Sequence, residues 1–380
     1  MKNLVLLAVA LGVLAGGICL GVSWHAQRSW TAWESFRSGF VQADGRVVDH
    51  TAGARSTSEG QAYGLFFALV ANDQDAFARI LAWAQDNLAD GDLNRNLPAW
   101  LWGEDDQGQW RVLDPNPASD ADLWMAYSLL EAARLWGKVG YEALGRQVLW
   151  NVRTREVAPA GDLGPILLPA PDGFRHGELG WRLNPSYLPE FQLRYLQLVD
   201  PSGPWAAIHK TADQMMAGVI NNGVAPDWFE FEPRLGVQPD AKTGGVSSYD
   251  AIRTYLWAGM TPQSNWLSLL SPYVTVIKKR GLPPERVDPR TRAIDGGSPL
   301  GFSAAVLPFL DAMNEDSLLE KQIKRLAESR INGALGDPAH YYDQVLALFG
   351  EGWLSGQFNF DQDGRMTPRW RRTCCDAFSS

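Results

Sequence analysis

The feature that most constrains the fold is a repeat. Apolar runs with helical spacing begin near Glu59, Asp120, Tyr187, Asp250, Phe302 and Tyr342, and most are followed by a second, more amphipathic run, such as Asp75 to Leu88, Tyr141 to Val152 or Trp205 to Ile220. The starts recur roughly every 40 to 65 residues, a period expected of stacked helix pairs. A helix that is apolar on most sides has to be buried, and an amphipathic one can cover it. Six buried helices, each backed by a more polar one, predict a closed ring of hairpins, although the repeat alone is also compatible with an open solenoid. Strand-like alternation is confined to short pieces such as Gln109 to Leu113. The links between pairs are rich in Gly, Pro, Asp and Trp, so loops at one end of the ring are predicted to form a cleft. No Pro- or Ser-rich linker divides Trp30 from Trp370, which predicts one domain.

The densest stretch runs from Ala118 to Trp136. Ser119, Asp120 and Asp122, with small residues between them and an apolar run behind, read as the capped start of a helix. Leu123, Ala126, Tyr127, Leu130, Ala133 and Leu135 then recur at mixed three and four spacing with few charges, which suits burial on most sides. Two acids at the mouth of a buried helix make a floor for an active site. Equally, one of them simply caps the helix and complements its dipole.

Composition narrows the chemistry. The net charge of −9 argues against nucleic acid, because phosphate binding needs a concentrated basic surface. A neutral or cationic substrate fits better. Seventeen tryptophans offer flat faces on which sugar rings can stack, although core packing accounts for any one of them as well. The five histidines, His25, His50, His176, His209 and His340, are scattered and form no metal set, and no cofactor motif is present. No Gly-x-Ser-x-Gly elbow supports a serine hydrolase.

The run A-S-D-A-D-x-x-M-A-x-S-L-L-x-A-x-x-x-W from Ala118 to Trp136 resembles the signature of glycoside hydrolase family 8, the inverting endo-β-glucanases and their relatives. That resemblance implies an all-α fold, an (α/α)6 barrel of six inner and six outer helices with short β pieces in the cleft loops. Inversion needs one protonated carboxyl beside the leaving oxygen and one carboxylate that activates water on the opposite face, roughly 6.5 to 9.5 Å apart. Glu59 lies in Ser58-Glu59-Gly60-Gln61-Ala62-Tyr63-Gly64, which resembles the segment carrying the general acid. On its own it reads more readily as a first-turn glutamate complementing a helix dipole. Asp250, in Ser247-Ser248-Tyr249-Asp250-Ala251-Ile252-Arg253, matches the segment carrying the base in the branch that uses an aspartate there. Other branches place the base elsewhere. Arg253, three residues on, would orient Asp250 and hold it ionised. The resemblance gives Asp120 the role of contacting the sugar at the cleavage subsite, and Asp122 is expected to cap the helix or support its neighbours.

Trp100 and Trp102 alternate in an extended segment and so should face the same way; Trp102, beside Gly103, is the preferred sugar platform. Tyr187, Tyr249 and Tyr342 match the family pattern as further cleft residues. Core packing is as good an account of each tyrosine that opens an inner helix.

Several segments, including Leu97 to Gly103, Asn184 to Pro189, Gly301 to Ala305 and Leu346 to Gly350, resemble the branch of the family encoded with bacterial cellulose synthase. The implied substrate is a β-1,4-glucan chain, the implied place the periplasm, and the implied partner the cellulose secretion complex. Chitosan, xylan and mixed-linkage glucan are rival substrates, and a glucan-binding subunit without catalysis is the alternative of a different class. Lys2 followed by the apolar run Leu4 to Val22 reads as a secretory signal peptide over residues 1–26, with an uncleaved membrane anchor as the alternative. The catalytic domain is expected over residues 27–370, followed by a tail, residues 371–380, whose adjacent Cys374 and Cys375 form no disulfide framework.

Overall fold

The computed structural model describes residues 30–176 and 180–372. The expected signal segment and the cysteine pair lie outside the described residues.

Six inner helical segments form the barrel: Ser58–Val70, Ser119–Trp136, Glu190–Val199, Ile252–Met260, the broken pair Leu300–Ala305 and Leu307–Ala312, and Tyr341–Leu354. The first, second and last are buried almost throughout, because their apolar residues surround the whole circumference. Outside them lie Gln74–Leu88, Val139–Arg155, Trp205–Val219, the pair Leu267–Leu270 and Tyr273–Arg280, Asp316–Glu328 and the amino-terminal Thr31–Phe40. This is the (α/α)6 barrel, and it is closed.

Closure comes from aromatic side chains. Phe349 of the last inner helix packs against Phe66 and Phe67 of the first, with ring centroids 5.5 and 4.6 Å apart. It also touches Trp124 and Trp257 of the second and fourth. Thr31–Phe40 covers the seam from outside, since Phe36 contacts both Phe67 and Tyr341. The sixth hairpin is thus completed by the start of the chain.

The expected inner starts hold except around the third. There Pro185–Tyr187 forms a single 3-10 turn and the helix begins at Glu190, directly after Pro189, whose ring and missing N–H suit a helix entrance better than its interior. The Ser119 helix also begins differently from the expected cap. Its N-cap is Ala118 without any side-chain cap, and the Ser119 N–H donates to the Pro169 carbonyl.

Short strands decorate the mouth. Ser56–Thr57, Ala99–Glu104 and Trp110–Pro117 form one antiparallel sheet, and Arg175–His176, Gly180–Leu183, Phe229–Glu232 and Gly236–Pro239 another. The opposite end is plugged by the hairpin Phe358–Phe360 and Met366–Pro368. Phe360 stacks on Phe191 at 3.9 Å, the Tyr127 hydroxyl donates to the Gly364 carbonyl, and buried Glu131 accepts from the Met366 N–H.

The last inner helix approaches Leu300–Ala305 so closely that a Cβ on Gly350 would stand 1.9 Å from the Ala304 carbonyl oxygen. Gly350→Ala therefore has to separate two inner helices. Phe349→Ala should lower stability by about 3–5 kcal/mol in chemical denaturation, as expected for a buried Phe. A loss below about 1 kcal/mol would mean that this ring does not close the barrel.

Candidate active site

The inner helices direct their amino-terminal ends to one mouth, and three acids gather there. Glu59 sits in the first turn of Ser58–Val70, which is capped by the Thr57 side chain accepting from the Gly60 N–H at 3.1 Å. Asp120 occupies the first turn of Ser119–Trp136 and is 2% exposed; its Oδ1 accepts from the Ala121 N–H. Asp250 precedes the Ile252–Met260 helix, in a turn rather than in the helix itself.

Arg253 ties them together. Its Nη2 donates to Asp250 Oδ1 at 2.9 Å and to the Ser186 hydroxyl at 2.8 Å, and lies 3.7 Å from Asp120 Oδ2. Arg253 is only 7% exposed, so the pair with Asp250 is no surface ion pair. Arg253 also acts electrostatically on Glu59.

One guanidinium faces three carboxyls, and the proton affinities reflect it. Burial pushes the Glu59 carboxyl up, against the opposing pull of its own backbone N–H, Arg253, Thr57 and Trp100. Asp120 is pushed up to about 8, by burial first and by Glu59 second. The mouth therefore combines carboxyls of raised proton affinity with a carboxyl bound to a cation, which is the equipment of general acid and base catalysis.

The turn carrying Asp250 is held by a residue that the sequence did not reveal. Asp227 accepts from the main-chain N–H groups of Ser248 and Ala251 at 2.7 and 2.8 Å, and its own carboxyl is raised to about 7 by burial and by Asp250. Nothing in the local pattern around Asp227 marks it, because its partners are more than twenty residues away.

The aromatic residues divide between two hollows. Trp100, 39% exposed, donates its indole N–H to Glu59 Oε1 at 3.1 Å. With Tyr187, Phe174 and Trp228 it walls one hollow. Tyr187 lies 5.8 Å from the Arg253 guanidinium, and Trp228 is stacked between Phe174 and Arg182. Tyr249 and Tyr342 line the other hollow, where the Tyr342 hydroxyl donates to the Tyr249 carbonyl. One hollow thus reaches Glu59 through Trp100, and the other adjoins Asp250 through Tyr249.

Trp102 lies elsewhere. Its ring packs against Trp83, Trp110 and the Arg46 guanidinium, and the pairing of Ala99–Glu104 with Trp110–Pro117 shifts register on both sides of Leu101. Two such bulges break the simple alternation, so Trp100 and Trp102 do not share neighbours. Trp100 is the indole that meets the carboxyls.

The histidines are less scattered than the sequence suggested. His209 Nε2 lies 3.8 Å from Glu190 and 3.9 Å from Asp213. Both carboxylates are already engaged, by Ser264, Asn265 and Trp266, and Arg194 stands 3.6 Å from Glu190. Both carboxylates are thus held by hydrogen bonds, while His209 Nε2 has no hydrogen-bond partner among the described residues.

The raised Asp120 has a consequence for stability. On folding it keeps a proton that the unfolded chain releases above 3.8, so its contribution is fully present below that value and is lost as pH rises toward about 8. Asp120→Asn should therefore be more stable than the native chain at pH 8 by about 2–3 kcal/mol, with the advantage vanishing near pH 4. Thermal melts at the two pH values read this; equal shifts at both would contradict it.

Comparison with known proteins gives the family. The model for glycosyl hydrolases family 8 matches residues 8–356. An endoglucanase of Xanthomonas axonopodis pv. citri is 45% identical over 354 residues, covering 92% of this chain and 91% of the relative. An endoglucanase of Escherichia coli K12 is 40% identical over 372 residues, covering 96% and 98%. The crystal structure of an endo-1,4-D-glucanase from Vibrio fischeri superposes with a TM-score of 0.82 at 37% identity, over 90% of this chain and all of that one. The chain belongs to glycosyl hydrolases family 8.

Proposed function

We propose that this glycoside hydrolase cuts β-1,4-glucan chains internally with inversion, Glu59 serving as general acid and Asp250 as general base. The observation that carries the reading is the arrangement around Arg253, with Asp250 bound to one side of the guanidinium, Asp120 beneath it and Glu59 within its field. Glu59 delivers its proton to the glycosidic oxygen. Asp250 takes a proton from water attacking the anomeric carbon on the opposite face. Asp120, a buried carboxyl that retains its proton near neutrality, donates a hydrogen bond to a sugar hydroxyl at the cleaved unit. Trp100, Tyr187 and Trp228 on the Glu59 side, and Tyr249 and Tyr342 on the Asp250 side, offer faces to sugar units on either side of the scissile bond. Relatives named as endoglucanases support a β-1,4-glucan rather than chitosan or xylan.

The reading extends to place and partner. The apolar amino-terminal segment supports export, and the resemblance to the branch encoded with cellulose synthase supports action on nascent cellulose in the periplasm. No helix among the described residues is long and apolar enough to cross a membrane.

Carboxymethylcellulose should yield new reducing ends, with viscosity falling before short products accumulate. Proton NMR of cello-oligosaccharide hydrolysis should show the α-anomer first, and a β-anomer would exclude inversion. Glu59→Gln and Asp250→Asn should each lower turnover by at least ~10²-fold while melting as cooperatively as the native chain. A fully active Glu59→Gln would end its assignment as the acid.

A further inference from the structure

Away from the three acids of the mouth, a ring nitrogen and two carboxylates converge without bonding to one another. Glu190 opens the third inner helix, Glu190–Val199, and His209 and Asp213 stand four residues apart on the outer helix Trp205–Val219, so both present themselves to it from one face. His209 Nε2 lies 3.8 Å from Glu190 Oε1 and 3.9 Å from Asp213 Oδ1, too far for hydrogen bonds. The nitrogen is sealed from solvent and has no hydrogen-bond partner among the described residues. A buried polar atom left in this way is costly and calls for a partner.

The space among the three atoms has the size of an ion. They lie within 4.8 Å of one another, so a point between them is no more than roughly 2.5 Å from each. Zinc takes imidazole nitrogen and carboxylate oxygen at about 2.0–2.2 Å, a difference that side-chain shifts of a few tenths of an ångström close. Each carboxylate oxygen carries two lone pairs, of which one accepts from the protein and the other is left for a cation. Glu190 Oε1 accepts from the Asn265 N–H at 2.9 Å and its second oxygen from the Ser264 hydroxyl. Asp213 Oδ1 accepts from the Trp266 indole at 2.8 Å and Oδ2 from the Asn265 side chain at 3.0 Å. Outer contacts of this kind orient the carboxylates that hold metals. Arg194, 3.6 Å from Glu190 Oε1, opposes a second cation, but its guanidinium donates to the Pro262 and Gln263 carbonyls. Two carboxylates and one guanidinium still leave a net negative charge for a divalent ion to meet.

We propose that Glu190, His209 and Asp213 bind one zinc ion, with water as the fourth ligand on the side of the partly exposed Asp213. The imidazole selects zinc over calcium and magnesium, which take oxygen ligands. The ion ties the third inner helix, its outer partner and the loop Ser264–Trp266 into one unit. Its role is structural, and it takes no part in the hydrolysis proposed above.

Binding and melting test this without any turnover. The full chain, stripped with a chelator and titrated with zinc chloride in a calorimeter, should bind one ion, and its melting temperature should rise by about 3 °C at free zinc a hundredfold above Kd. His209→Ala should lose both effects. Asp213→Asn, whose amide oxygen still accepts from Trp266, should weaken binding by at least ~10-fold. Zinc bound equally well by His209→Ala belongs to another histidine or to the cysteine pair and overturns the proposal. So does a native chain that binds no zinc, which would leave His209 as a protonated partner of the two carboxylates, and so does a melt raised as far by calcium or magnesium. If His209→Ala does not fold, zinc K-edge absorption of the native chain decides: imidazole and oxygen neighbours without sulfur are expected, and a sulfur neighbour overturns the assignment.

Discussion

The site depends on one buried guanidinium that is outnumbered. Arg253 meets Asp250 and Asp120 directly and Glu59 through its field, and a single positive charge cannot balance three negative ones out of water. The imbalance is settled by protons, which stay on the groups where burial is greatest and hydrogen-bond donors fewest. Helix amino termini work in the opposite sense, since their dipoles favour ionised carboxylates in the first turn. Burial wins at Asp120, where one oxygen has a main-chain partner and the other has no hydrogen-bond partner among the described residues.

Holding such a cluster together requires a scaffold that does not yield. The inner helices meet through rings: Trp124 contacts Tyr63, Phe66, Tyr127, Phe191, Trp257 and Phe349 from one position. Interiors packed this way transmit strain rather than absorb it, so the spacing of Glu59, Asp120 and Arg253 is fixed by contacts well below them. Asp227 does the same for the turn bearing Asp250, and the Trp257 indole, bonded to the Ser186 carbonyl, fixes the loop whose hydroxyl meets Arg253.

Legibility in the sequence followed the range of the interaction. The helix starts at Ser58, Ser119 and Tyr341 were readable because apolar periodicity is local. The third inner helix started late because Pro189 outweighed the apolar pattern. A closed ring was expected from the six pairs and the family resemblance, but not that the last hairpin takes its outer helix from the start of the chain. Glu59, Asp120, Asp250 and Arg253 were found through their motifs, and the structure brings them together. Trp100 was passed over for Trp102 because a pair of bulges cannot be read from alternation. Asp122 was expected to cap its helix or support its neighbours, and it is fully buried without capping, whereas Asp227 is a single acid whose meaning lies entirely in distant contacts.

The central claim is that burial raises the proton affinity of the Glu59 carboxyl in spite of the opposing pull of Arg253 and its hydrogen-bond donors. Carbon-13 NMR of the Glu59 carboxyl, assigned by its disappearance in Glu59→Gln and followed through a pH titration, measures this directly. The account predicts a midpoint clearly above the ordinary value of 4.5. A midpoint at or below that value would contradict it.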